Sequence, residues 1–394
     1  MVKTHVIERE NGETKFPFLR GILTRSLQDA GLSFDEAYAL ATSVRESFSE
    51  TPEITTAELR KTVMEHISRY GPAVVQRYQH PAVVPGTILV RDASGHARQF
   101  SREQHRRVLE SSGLTYEDSA AVTSAIFSHL VKKGVTEIWS RQLGHLTYRY
   151  LRVARGPEAA RSFLVLVNYF RGKRPLVLMI GGAPGTGKSA VATEIAQRLE
   201  IVRIQSTDLL REVMRMMVPE RLLPVLQRSS YDAWKTLPGK GHLDVETDTR
   251  LIDGYRAQAN LLSVPCEAVI RRSLREQASL ILEGVHVQHG LMDKLPASTD
   301  AIVIPIMLAV LNPSKLKDRF TGRGKQLNQR RAERYLQHFD SIWRLQSYLL
   351  SEADRWQTPI IINDDREQVV RDAMATVIHF LSEEITAQPA DVFT

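Results

Sequence analysis

The chain has 394 residues, enough for two or three domains each with its own core, and its 43% hydrophobic and 25% charged content is ordinary for a globular protein. No apolar run reaches the ~18 residues a membrane helix needs, and a single cysteine, Cys266, excludes an internal disulfide framework and a Cys-rich zinc site. The net charge of +7 suits phosphorylated ligands and equally admits nucleic acid, so charge alone does not choose between them.

At the N-terminus, Met1 to Arg20 carries Glu8, Glu10 and Glu13 around no apolar signal core, so a cytoplasmic protein is expected. The first stretch, to about residue 165, contains a repeat. One copy runs Val6-Ile7-Glu8-Arg9, a turn at Gly12, Phe16 and Phe18, then a helical stretch to Gly31-Leu32. The other runs Ile88-Leu89-Val90-Arg91, a turn at Gly95, Phe100, then a helical stretch to Gly113-Leu114. Arg9 and Arg91, Phe18 and Phe100, and Gly31 and Gly113 share one offset. An acidic helix follows each Gly-Leu, with Ser33 and Thr115 as natural N-caps. Gly71-Pro72 and the stretch from Pro81 to Gly86 punctuate the connector, and Arg155-Gly156-Pro157 marks a second one. The expected domains are therefore 1–85, 86–165 and 170–394.

From Leu176 the pattern alternates. Leu176–Ile180, Val202–Gln205, Leu280–Leu282, Ala301–Ala309 and Pro359–Ile362 read as strands with helices between them, which predicts an α/β fold around a parallel sheet. The first strand leads into Gly182-Ala183-Pro184-Gly185-Thr186-Gly187-Lys188-Ser189, which satisfies G-x-x-x-x-G-K-[ST] without a mismatch. An amphipathic helix, from Lys188 through Ala190 to Leu199, follows. Glycines in such a loop let backbone N–H groups turn toward the β-phosphate of ATP at the positive end of a helix. Lys188 is expected on the β- and γ-phosphates, and Ser189 on Mg²⁺. Ser206-Thr207-Asp208 follows the second strand, where an open α/β sheet presents its substrate crevice. Asp208 suits an acceptor hydroxyl, with N-capping of a helix over Leu209–Met217 as its rival reading. Arg211, next on that helix, suits an anionic acceptor. Glu283, at the tip of the run Leu280-Ile281-Leu282, suits the water shell of Mg²⁺. His286, three residues on, reads either as a substrate ligand or as a polar residue lining the crevice.

The stretch from Arg319 to Arg331 holds Arg319, Arg323, Lys325, Arg330 and Arg331 with no carboxylate, and Gly322 and Gly324 would let it flex. It reads as a basic lid that supplies cations to the transferring phosphoryl group, with a solvated basic loop as the alternative. Without interleaved aromatics it makes a poor nucleic-acid surface. Ala332 to Trp356 reads as one helix, with Leu336, Phe339, Trp343 and Leu350 at core spacing.

With these pieces in order, the sequence from Leu176 to about Asp365 resembles the 2-phosphoglycerate kinases. The resemblance rests on Gly181 to Ser189, Ser206-Thr207-Asp208 with Arg211-Glu212-Val213, and Ser229-Ser230-Tyr231 with Ala233-Trp234. It continues through Glu283-Gly284-Val285-His286, Arg319-Phe320 with Arg323, and Arg334-Tyr335-Leu336 with Phe339. It implies a P-loop kinase that uses ATP and Mg²⁺ to phosphorylate a small phosphorylated acid, with Lys188, Asp208, Arg319 and Arg323 in catalysis. Asp208, Arg211, Ser230, Tyr231 and His286 would then face the acceptor. The front region resembles the ATP-cone, a nucleotide-binding regulatory module, which implies a regulatory nucleotide near Arg9, Lys15 and Phe16, with Lys15 as a phosphate contact. The second copy keeps Arg91 and Phe100 but has Ala97 and Arg98 around the matching lysine, and so is degenerate. An adenine nucleotide effector and oligomerisation through the cone-like domains are the partners this implies. Two rival readings stand beside it: a kinase of the same build with another acceptor, and a nucleotide-sensing regulator acting on RNA.

Overall fold

A computed structural model describes residues 4–8, 14–49, 51–79, 88–172, 174–238, 247–295, 300–326 and 329–393. The chain divides into two compact units, Met1–Thr87 and Ile88–Thr394.

In the first unit, β1 (His5–Glu8) and β2 (Thr14–Pro17) form an antiparallel hairpin, and β3 (Glu53–Thr55) runs parallel to β1 on its other side. The helices are α1 (Arg20–Asp29), α2 (Phe34–Ser47), α3 (Thr56–Ile67) and α4 (Pro72–Gln79). Ser33 caps α2 as expected, and Glu36 returns a bond to the Ser33 N–H, a reciprocal capping box that Thr55 and Glu58 repeat on α3. Ala37, Leu40, Ala41 and Val44 recur at helical spacing on α2 and are buried against Leu23, Leu27, Val63 and Ile67.

The second unit opens with the same element order: β4 (Leu89–Arg91), β5 (Ala97–Gln99), α5 (Arg102–Ser111), α6 (Tyr116–Lys132), β6 (Glu137–Trp139), α7 (Ser140–Ala154) and α8 (Pro157–Arg171). Its small sheet has the order β5-β4-β6, antiparallel then parallel, as in the first unit. Thr115 caps α6. The Arg91 guanidinium pairs with Glu137 on the neighbouring strand and donates to the Gly95 carbonyl at 2.8 Å, so it braces the sheet. Helix α8 is buried on two sides: Ala160, Phe163 and Leu164 join the core of this module, while Val165, Leu166 and Tyr169 join that of the large sheet.

That sheet comprises β7 (Leu176–Gly181), β8 (Arg203–Ser206), β9 (Leu280–Glu283), β10 (Ile302–Ala309) and β11 (Ile360–Ile362), all parallel, in the order β11-β10-β7-β9-β8. All five expected strands are present, each within two residues of its expected ends. Between and after them run α9 (Lys188–Arg198), α10 (Thr207–Met217), α11 (Asp248–Arg275), α12 (Pro313–Gln326), α13 (Gln329–Gln337), α14 (Phe339–Arg355), α15 (Arg366–Glu384) and α16 (Pro389–Phe393). Every residue of the central strand β7 is buried, as its unbroken apolar run requires. Because the chain leaves β7 for β8 on one side and later returns to β10 on the other, a crevice opens at the C-terminal ends of β7 and β9. The final residues Val392 and Phe393 return to the core of the β5-β4-β6 module. From residue 88 on, the expected segments 86–165 and 170–394 therefore lie in one compact unit.

Two expectations are corrected here. Over 319–326 the basic stretch is helical, not a glycine-loosened loop: α12 runs through Gly322 and Gly324 to Gln326, held by the fully buried Leu316 and Phe320, and 327–328 lie outside the described residues. The single helix expected over 332–356 breaks at His338 into α13 and α14. That break turns Leu336 outward, 38% exposed, and brings Tyr335 flat against Phe320, ring centroids 5.0 Å apart. Among the described residues no helix is long and apolar enough to cross a membrane.

Candidate active site

The donor half is built at the end of β7. The chain turns through Gly182–Gly187 and enters α9 at Lys188, so Lys188, Ser189 and Ala190 form a first helical turn whose N–H groups have no partner within the helix. Gly187 sits at φ +87, where a Cβ would lie 2.5 Å from the Asn363 side chain. Asn363 follows β11 and donates to the Thr186 carbonyl at 2.7 Å. Arg319, from α12, reaches the same carbonyl at 3.4 Å and the Asn363 side-chain oxygen at 3.2 Å. The loop is thus braced from behind by two side chains. Lys188 Nζ donates to the Ala183 carbonyl at 2.9 Å, and the Thr186 hydroxyl reaches that same oxygen at 2.9 Å.

Glu283 lies across from Ile180 in the β7–β9 register and is only 5% exposed. The Ser189 hydroxyl donates to its Oε1 at 2.9 Å. Burying a carboxylate is costly unless it is hydrogen-bonded, and this one faces the mouth of the phosphate loop. The two oxygens make a hard donor set of the kind a divalent cation takes.

The acceptor half starts where β8 runs into α10. Ser206, not Asp208, is the N-cap: its Oγ accepts from the Asp208 N–H at 3.2 Å. The capping role weighed for Asp208 is thereby corrected, and its exposed carboxylate stands in the first turn. Arg211 lies one turn on, donating to the Arg228 carbonyl at 2.6 Å while its Nε is buried with no partner. Its second terminal nitrogen ion-pairs with Glu212 at 3.3 Å, and an anionic ligand would compete with that carboxylate for the guanidinium.

His286 does not line the crevice. It is 1% exposed, with Nε2 2.8 Å from Gln258 Oε1 and Nδ1 3.1 Å from the Thr207 hydroxyl, so neither nitrogen is left for an acceptor. Burial pushes its pKa down to about 3; Asp208 pulls the other way, while Arg211 and Lys188 add to the lowering. Ser230 and Tyr231, expected on the acceptor, are 4% and 3% exposed. Tyr231 packs edge-on to Tyr335, and burial raises its hydroxyl pKa, so this segment forms the wall behind the crevice. Arg334 reaches over it to the Ser229 hydroxyl at 3.1 Å. Arg319, expected on the transferring group, instead holds the P-loop carbonyl and Asn363; Arg323 lies one turn further along α12. In the first unit, Lys15 and Phe16 stand in β2 opposite Ile7 and Val6, and Arg9 lies outside the described residues.

Sequence reasoning passed over Asn363 and Gln258. Both carried a signal. Asn363 is a polar residue at the end of an apolar strand, like Glu283, and Gln258 interrupts the apolar face Leu251, Tyr255, Leu262 of α11.

No family model matches the chain. Among characterised proteins, the 2-phosphoglycerate kinase of Pyrococcus horikoshii is 31% identical over 293 residues, covering 74% of this chain and 94% of that one. The 2-phosphoglycerate kinase of Methanocaldococcus jannaschii is 32% identical over 306 residues, covering 75% and 96%. The chain belongs to the 2-phosphoglycerate kinase family. As a member it is an ATP-dependent small-molecule kinase, and its phosphate loop between a buried parallel strand and a helix is of the P-loop kind. Solved structures are matched less closely: a gluconokinase from Sinorhizobium meliloti covers 53% of this chain at 15% identity with a TM-score of 0.29. The fold assignment rests on the chain's own sheet.

Proposed function

We propose that the chain transfers the γ-phosphoryl group of ATP to the 3-hydroxyl of 2-phosphoglycerate, giving 2,3-bisphosphoglycerate and ADP. The observation that carries this reading is the spacing of Asp208 and Arg211, three residues apart on α10, the helix that leaves β8 where Ser206 stands opposite Glu283 of β9. Residues three apart on a helix are roughly 5–6 Å from each other at Cβ. That spacing suits an acceptor whose reacting hydroxyl and anionic group sit on adjacent carbons, as in 2-phosphoglycerate.

In this mechanism the Lys188 ammonium leaves the Ala183 carbonyl for the β- and γ-phosphates, while the N–H groups at the start of α9 hold the β-phosphate. Ser189 and Glu283 are the residues that would hold Mg²⁺, which would supply neutralisation of the nucleotide's phosphate charge. Arg211 binds the acceptor phosphate and Asp208 takes the hydroxyl proton, so the oxygen attacks the γ-phosphorus as ADP departs. The reaction demands little of the protein beyond positioning and charge, and these residues supply both.

For the first unit we propose a regulatory adenine nucleotide site at Arg9, Lys15 and Phe16, with the chain acting in the cytoplasm. Calorimetry with ADP should count more than one site per chain, and Lys15→Ala should remove one while leaving the other. A single site, unchanged in that variant, would leave the unit without a nucleotide role. The acceptor is tested by turnover with 2-phosphoglycerate, 3-phosphoglycerate and nucleoside monophosphates in a coupled ADP-release assay. Preference for 2-phosphoglycerate is expected; preference for another acceptor overturns the assignment but keeps the kinase.

A further inference from the structure

We propose that His286 is a positioning residue which, through Thr207 and Gln258, fixes the first turn of α10 and with it the direction in which Asp208 and Arg211 meet the acceptor. This rests on the reading of those two residues as the acceptor side.

The hydrogen-bond directions follow from one end of the chain. Gln258 is fully buried on α11, and its side-chain NH₂ donates to the carbonyls of Val225 at 2.6 Å and Arg228 at 2.9 Å. With both protons committed, its oxygen points the other way and accepts from His286 Nε2–H at 2.8 Å. The imidazole is then left with Nδ1 as an acceptor, and the buried Thr207 hydroxyl donates to it across 3.1 Å. No member carries a charge, and each proton's direction is set by the bond before it. Arg228 closes the circuit, because its carbonyl also accepts from Arg211 at 2.6 Å. The path runs from Thr207 along α10 to Arg211, over to Arg228, through Gln258 and His286, and back to Thr207. Asp208 lies in the arc between Thr207 and Arg211.

The tip of β9 presses directly on this ring. Gly284 has φ +154, and a Cβ there would lie 1.8 Å from the Thr207 hydroxyl. The strand that carries Glu283 is therefore in contact with the residue before Asp208, so donor and acceptor sides share one rigid reference. A reacting group misplaced by about 1 Å costs on the order of 100-fold in rate, so a relay that holds Asp208 has a measurable kinetic role.

The test uses the full chain and removes one bond without changing shape. In Thr207→Val the hydroxyl is lost; in Thr207→Ser it is kept. Thr207→Val should lower kcat with 2-phosphoglycerate by roughly 10- to 100-fold. Its ADP affinity by calorimetry and its KM for ATP should stay within about twofold, since the P-loop is untouched. Thr207→Ser should recover most of the lost rate. Should Thr207→Val prove poorly folded, His286→Gln is the second variant: its side-chain amide can still donate to Gln258 Oε1 but no longer offers Thr207 an acceptor ring nitrogen, and it should show the same kinetic defect. The proposal is overturned if Thr207→Val turns over like wild type, if nucleotide affinity falls in step with kcat, or if serine restores nothing. Wild-type protein inactive on 2-phosphoglycerate counts against the acceptor assignment instead, and the relay is then judged on the acceptor the panel identifies.

Discussion

The proposed donor and acceptor halves of the crevice are built on opposite plans. The donor half is local: eight consecutive residues after one strand supply its backbone cradle, cation and hydroxyl, with Glu283, Asn363 and Arg319 added as braces. The acceptor half is assembled from α10, the segment at Arg228–Tyr231, α11 and the tip of β9, joined by side-chain hydrogen bonds. A local site tolerates distant change, whereas an assembled one fails when any joint is loosened.

The largest effect expected from breaking the donor half is Lys188→Ala. It removes a contact that strengthens as charge spreads over the γ-phosphoryl oxygens, and kcat should drop by roughly 100-fold or more in a coupled ADP-release assay. Full activity there would end the P-loop kinase account. On the acceptor side, Asp208→Asn should lower kcat by roughly 10- to 100-fold while KM for ATP holds. Because Ser206 is the cap, the melting temperature should not move. An equal loss of ATP affinity would instead tie Asp208 to the donor.

This contrast also explains what the sequence disclosed. The donor loop was legible because its chemistry is a contiguous pattern following a buried strand, and the parallel sheet was legible because its inner strands β7, β9 and β10 are largely apolar runs with helical stretches between them. His286 was not, since sequence proximity to Glu283 says nothing about which face of the chain is buried. The helix through Gly322 and Gly324 was hidden for another reason. Glycine costs a helix about 1 kcal/mol each, but burial of Leu316 and Phe320 on the same helix outweighs it. The break at His338 was equally invisible, because Tyr335 and Leu336 are adjacent and only packing against Phe320 selects the first.

A smaller effect is expected at the donor brace. Asn363→Ala leaves the Thr186 carbonyl without its shortest partner and should destabilise the chain by about 1–3 kcal/mol, with weaker ADP binding by calorimetry. Unchanged ADP affinity would show that Arg319 alone holds the loop.

The last effect concerns acid and is spread over several pH units. His105, buried between the Thr123 and Thr147 hydroxyls, has its pKa pushed down from 6.5 to about 4 by burial, and His286 falls to about 3. Both are neutral when folded, so the unfolded chain takes up their protons first. Stability should be fully present above pH 6.5 and decline as pH falls toward 4, by up to about 1.4 kcal/mol per unit for each histidine. Melting temperatures of His105→Gln should fall less steeply over that window; an identical slope would remove His105 from the account.

The central claim is that the two halves meet to pass a phosphoryl group to a small phosphorylated acid. It is tested most directly by incubating the chain with γ-labelled ATP and 2-phosphoglycerate and identifying the labelled product. The account predicts label in 2,3-bisphosphoglycerate, formed in step with ADP. Label released only as inorganic phosphate, or passed to a nucleoside monophosphate in preference, would contradict it.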